Sequence, residues 1–173
     1  MADSACDEID RVIVDQLAED GRAKLAALAE ATGLSTSAVQ LRLRRLESSG
    51  VIAGYHARVD YDLVDRALTA LIEITPVDPA QPDDAPDRLL SVPGIVSCYS
   101  VAGDASYVLF VRVSGPTALE QLITDVRASA RVTTRTTVVL STPFEHRHEP
   151  LAGARASLGV DTAVAALQER KAQ

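Results

Sequence analysis

The sequence predicts an α+β chain, with an N-terminal winged helix-turn-helix followed by a ferredoxin-like βαββαβ unit. Three observations lead there. Helical apolar spacing runs from Ile9 to Leu46 and is broken by glycine at Gly21 and Gly33, in the order helix, short helix, tight turn, helix. From Ala67 the period becomes that of strands, and the elements then follow as β-α-β-β-α-β. Charge divides at the same place. Residues 24–58 carry five basic side chains against two acidic, residues 59–113 three against nine, so the net charge of −7 conceals a locally basic segment.

The stretch "DEIDRVIVDQLAE" (7–19) sets Ile9, Val12, Ile13 and Leu17 at helical spacing, with Asp7 available as N-cap and Gly21 as the break. Residues 24–32 read as a short helix with Leu25, Leu28 and Ala29 inward, closed by Gly33. Ser35 is a good N-cap for a third helix reaching about Ser49, where Gly50 stops it. "VIAGYHARVDY" (51–61) has the composition of a strand with Gly54 in its middle and is expected to form a wing or hairpin arm. "ALTALIEI" is a strand ending at Thr75-Pro76. The "PVDPAQPDDAP" after it is too rich in proline to be anything but a loop. Asp83 or Asp84 is expected to cap a short helix over Arg88 to Ser91. "IVSCYSVAG" and "SYVLFVRV" are two strands separated by Gly103, Asp104 and Ala105. Pro116 to Ala130 is an amphipathic helix with Leu119, Leu122, Ile123 and Val126 inward, and "VTTRTTVVLS" (132–141) is a β-branched strand. The expected partition is a helix-turn-helix over 1–52, a hairpin or linker over 53–66, a ligand-binding and assembly domain over 67–142, and a tail over 143–173 with helical turns over 161–170.

Composition narrows the chemistry. A chain of 173 residues holds one or two compact units, and with only 3% aromatic residues and no Trp its cores must be aliphatic. Cys6 and Cys98 form no CxxC pair, and the acidic N-terminus does not resemble a signal peptide, so reduced thiols and a cytoplasmic, nucleoid-associated location are expected, with no membrane partner. His56, His146 and His148 lack metal-ligand spacing, and no phosphate loop, nucleophile elbow or paired carboxylates occur. Neither an enzyme, a metal site nor a cofactor is expected.

On a helical wheel Val39, Leu43 and Leu46 form the buried edge of the third helix, with Arg42 flanking it. Ser37, Gln40, Leu41, Arg44 and Arg45 point away. Together with Ser35 and Thr36 at the helix start, they offer small hydroxyls, an amide suited to adenine, arginines suited to guanine or phosphate, and an apolar contact for a thymine methyl. The N-terminal end of the helix adds attraction for phosphate. Arginines on an isolated helix are ordinarily a solvated face; the helix-turn-helix context and the outward Leu41 favour double-stranded DNA. The rival is an acidic protein-interaction and assembly module without direct DNA binding, which a salt titration separates, because phosphate contacts weaken steeply with salt.

The stretch "IDRVIVDQLAEDGRAKLAALAEATGLSTSAVQLRLRRLESSGVIAGYHARVD" resembles the DNA-binding half of the Lrp/AsnC, or feast/famine, transcription regulators. "SCYSVAGDASYVLFVRV" and "VTTRTTVVL" resemble their effector domain. The loop containing "DPAQPDD" is similar to that of the actinobacterial branch. Lys24 departs from the family, which usually places a serine there to cap the second helix. The resemblance implies an amino-acid effector held between ferredoxin-like domains by Ser100, Val101, Ala102, Gly103 and Asp104, with Thr134 and Thr136 from the last strand, and Asp104 facing the ligand's ammonium group. From chemistry alone Gly103-Asp104 is an ordinary turn. "YVLFVR" is apolar on both faces, so helices on one side of its sheet leave the other side to be covered. A homodimer assembling to a tetramer or octamer is what the resemblance implies.

Overall fold

The computed structural model describes residues 6–78, 80 and 83–151, so the helical turns expected over 161–170 lie outside the described residues. Packing divides the chain into two units, one made of the chain up to Ala57 together with residues 146–151, the other Arg58–Glu145.

The first unit holds α1 (Glu8–Glu19), α2 (Leu25–Thr32) and α3 (Thr36–Ser48). Asp7 caps α1 in a reciprocal box: its Oδ1 accepts from the Asp10 N–H at 2.8 Å, and Asp10 Oδ2 accepts from the Asp7 N–H at 3.0 Å. Lys24 stands at the start of α2 and supplies no side-chain cap, as its departure from serine implies. Gly33 ends α2 at φ 70°, a conformation glycine adopts without a Cβ penalty. Only Leu34 and Ser35 then precede α3, and the Ser35 hydroxyl accepts from the Ala38 N–H at 3.3 Å. Helices this short are marginal alone, so their stability lies in the shared core of Ile13, Leu28, Val39 and Leu46.

The expected wing does not form. Residues 53–60 contain no strand, because an extended segment becomes one only against a partner ladder, and the described residues supply none here. Tyr55 instead donates its hydroxyl to Glu47 at 3.0 Å. The C-terminal segment belongs to this unit. Asp15, buried on α1, accepts from the Leu151 N–H at 3.2 Å and lies 2.8 Å from His148 Nε2.

The second unit opens with a 3-10 turn (Tyr61–Val64) and continues as β1 (Leu68–Pro76), α4 (Ala85–Leu89), β2 (Ile95–Ser100), β3 (Tyr107–Val113), α5 (Pro116–Ala130) and β4 (Val132–Val138). The four strands form one antiparallel sheet in the order β2-β3-β1-β4. Alternate residues face the helices: Ala70, Ile72 and Ile74 from β1, with Leu109, Val111 and Val113 from β3, pack against Leu89, Leu119, Leu122 and Val126. The opposite face carries Leu71, Val108, Phe110 and the cross-strand ion pair Glu73–Arg135. At one place it is roofed by the chain itself. Arg112 lies over the Tyr61 ring at 4.1 Å and its Nη2 donates to both Glu145 oxygens at 3.0 Å.

Two elements differ from expectation. The helix expected over 88–91 is Ala85–Leu89, because Pro86 sits in its first turn, where a fixed φ favours helix, and Asp84 pairs with Arg88 at 2.7 Å rather than capping. The last strand ends at Val138, not Ser141: Ala70 lies opposite Val138, and after the Val139 N–H bond to Thr69 the chain parts from β1, whose Leu68 and Thr69 stay paired with β3 alone.

Candidate nucleic-acid interface and ligand site

With Val39 and Leu46 fully buried, the other face of α3 presents Ser35, Thr36, Ser37, Gln40, Leu41 and Arg44 to solvent. Leu41 is 73% exposed, a large apolar side chain at the centre of a polar face. Ser35 and Ser37 hydroxyls lie 3.1 Å apart at the helix start, an arrangement that suits an anion. The Arg44 guanidinium makes no hydrogen bond or ion pair among the described residues.

Arg45 is exposed, as the wheel reading expected, but its guanidinium is also engaged by α1. Its Nη2 bonds Asp10 Oδ2, while Arg42 Nη1 lies 2.9 Å from Asp10 Oδ1 and 2.6 Å from Asp7 Oδ2. Asp10 is wholly buried on α1, so a desolvated carboxylate draws in the guanidinium of a side chain that otherwise remains in solvent. The hydrogen bond from Arg42, then that from the Asp10 N–H, brings the Asp7 carboxyl down from 3.8 to about 2. Sequence reasoning missed this cluster. Its signal was present as matched i, i+3 spacing, Asp7 with Asp10 and Arg42 with Arg45, on two helices that must share a core.

In the second unit Ser100 closes β2 and Val101, Ala102, Gly103 and Asp104 form an exposed turn. The Asp104 carboxylate has no hydrogen bond among the described residues; only its backbone oxygen is engaged, by the Thr75 hydroxyl at 3.5 Å. Thr134 and Thr136 lie on β4, at the sheet edge opposite β2, roughly 14 Å away at ordinary strand spacing. The turn nevertheless leans toward them. Ile74 accepts from the Ser106 N–H at 3.0 Å and lies directly opposite Thr134, so turn and Thr134 share one end of the sheet, with Thr136 two residues further along. The Thr134 hydroxyl accepts from Arg127 Nε at 2.8 Å. A single chain therefore places these seven residues toward one end of the sheet.

A recess of about 300 Å³ lies at the other end, lined by Asp65, Gly94, Val113, Gln121 and Asp125, and includes none of them. Among the described residues no three His, Cys, Asp or Glu side chains gather as a metal site, and no helix is long and apolar enough to cross a membrane.

Residues 7–47 match the family model of the AsnC-type helix-turn-helix domain, and residues 69–149 that of the Lrp/AsnC ligand binding domain. The HTH-type transcriptional regulator LrpA of Mycobacterium tuberculosis is 54% identical over 143 residues, which cover 83% of this chain and 95% of the relative. A feast or famine regulatory protein of M. tuberculosis, solved in complex with L-methionine, is similar at a TM-score of 0.82 with 52% identity, covering 84% of this chain and 99% of that one. A transcriptional regulator of Neisseria meningitidis, also an L-methionine complex, is similar at a TM-score of 0.73 with 26% identity, over 80% and 92% of the two chains.

Proposed function

The chain belongs to the Lrp/AsnC family of transcription regulators, and from that premise we propose that it reads DNA with the outward face of α3 and answers to an amino acid held at the Ser100–Asp104 turn. The observation that carries the first part is the 73% exposed Leu41, flanked by Gln40, Arg44 and the hydroxyls of Ser35, Thr36 and Ser37 on a helix whose opposite face buries Val39 and Leu46. Such a set reads DNA: a bidentate amide for adenine, a guanidinium for phosphate or a guanine edge, an apolar contact for a thymine methyl, and small hydroxyls for phosphate. Arg45, bonded to Asp10 at the inner edge of this face, stands apart from that set.

The effector reading rests on an exposed, unpaired carboxylate in a turn and on the L-methionine complexes of two similar structures. Asp104 faces the ligand ammonium, and turn N–H groups with the Thr134 and Thr136 hydroxyls face its carboxylate. Because the turn is exposed in one chain, a second copy completes the site. The uncovered sheet face with Leu71, Val108 and Phe110 gives that copy a surface to pack on, as a dimer that assembles further.

The experiment is a gel shift of the full chain against the DNA upstream of its own coding region, with and without L-methionine and a mixture of the other amino acids. Salt-sensitive retardation altered by an amino acid is the expected result. Absence of retardation in low salt overturns the DNA reading; retardation indifferent to every amino acid overturns the effector reading.

A further inference from the structure

We propose that Asp10, with Asp7 beside it, is a positioning residue for DNA reading: it holds Arg42 and Arg45 of α3 against α1 and leaves Arg44 as the α3 guanidinium that meets DNA. This rests on α3 being the recognition helix. The sequence "RLRR" presents three guanidiniums, but the structure commits two of them. Asp10 has no exposed surface and its carboxylate is fully subscribed: Oδ1 takes Arg42 at 2.9 Å, and Oδ2 takes Arg45 and the Asp7 N–H, the latter at 3.0 Å. Arg42 is shared with Asp7 at 2.6 Å, so two carboxylates balance two guanidiniums on the α1 side.

The Arg45 side chain is 55% exposed, which by exposure alone makes it as available to phosphate as any surface arginine. Its partner decides otherwise. Moving Arg45 to DNA leaves Asp10, a buried carboxylate, with only Arg42, which it shares with Asp7, and loss of a partner costs more at a buried charge than an exposed contact contributes. The clamp also sets geometry. Arg42 and Arg45 are three residues apart on α3, and both end on one side chain of α1. Rotation of α3 about its own axis is thereby fixed, and with it the direction in which Gln40, Leu41 and Arg44 face.

The test compares Arg44→Gln, Arg45→Gln, Arg45→Lys and Asp10→Asn in the full chain. Binding is followed by fluorescence anisotropy across a salt series, on the duplex upstream of the coding region and on a mixed-sequence duplex of equal length. The readout is the slope of log affinity against log salt, which counts phosphates neutralised and which a merely structural loss does not move. Arg44→Gln is expected to flatten the slope by about 0.9 for each α3 engaged. Arg45→Gln is expected to lower affinity at the parental slope, with Arg45→Lys restoring it. Asp10→Asn is expected to steepen the slope by about 0.9 as Arg45 is released. If Asp10→Asn melts far below the parent, the two Arg45 variants decide alone. Flattening by Arg45→Gln equal to that by Arg44→Gln, an Arg45→Gln variant with parental affinity, or an unchanged slope in Arg44→Gln overturns the proposal. A parent that shows no salt-dependent binding fails earlier, at the recognition-helix reading itself.

Discussion

Two acidic residues of this chain illustrate how burial assigns opposite work to the same side chain. Asp104 is exposed and its carboxylate bonds nothing among the described residues, so folding does not depend on it. We expect Asp104→Ala to change stability by less than about 0.5 kcal/mol, and to bind DNA and assemble as the parent does while losing its response to amino acid. Gel shifts titrated with L-methionine check this; a variant responding at the parental concentration returns Gly103-Asp104 to an ordinary turn. Asp15 is the opposite case. It is 1% exposed, its Oδ1 meets His148 and the Leu151 N–H, and its Oδ2 has no partner among the described residues. Removing the imidazole strips a buried carboxylate of one of its two contacts, so His148→Ala is expected to cost about 1–3 kcal/mol, read as a lower melting temperature of the full chain. An unchanged melting temperature means that solvent reaches Asp15 when the ring is gone.

Helix α1 couples capping to ion pairing, and this coupling has a pH dependence. The Asp7 carboxyl is depressed from 3.8 to about 2, first by the Arg42 hydrogen bond. A depressed acid stabilises the fold above its ordinary range and loses that contribution as pH falls through its folded value. Stability of the first unit is therefore expected to drop between about pH 4 and about pH 2. In Asp7→Asn, which keeps an N-cap side chain but no charge, that stretch of the melting-versus-pH curve should be flatter. A variant curve parallel to the parent's assigns the acid loss to other carboxylates. In α3 the packing contribution is larger: Leu46 is 0% exposed beside Ile13, Leu28 and Val39, and Leu46→Ala is expected to cost about 2–5 kcal/mol in thermal denaturation.

At the scale of the molecule, the sheet of the second unit has helices on one face, while the other keeps Leu71 37% and Tyr99 55% exposed, with Val108 and Phe110 half-buried. An apolar face of this kind is stabilised by association. Light scattering of the full chain without DNA is expected to give a dimer or larger assembly, and Leu71→Glu to reduce it. A monomeric parent excludes the sheet face as an interface. The first unit is discontinuous in sequence: the chain leaves it after Ala57 and re-enters at His146, so two covalent strands join it to the second unit.

The sequence by itself determined what repeats locally. Period 3.6 and period 2 placed all three N-terminal helices, α5 and the four strands, glycine at positive φ marked the turn before α3, and the outward set Ser35, Gln40, Leu41 and Arg44 followed from the buried positions of the same helix. These features depend on neighbours a few residues away. What only the tertiary structure decided depends on residues far apart: whether an extended segment finds a partner strand, where β4 parts from β1, and which buried carboxylate captures a surface cation. Arg45 reaches Asp10 across 35 positions and His148 reaches Asp15 across 133. Periodicity says which way a side chain sets out, but a desolvated charge on another element decides where it ends, because burial makes that one contact stronger than the local preference it overrides.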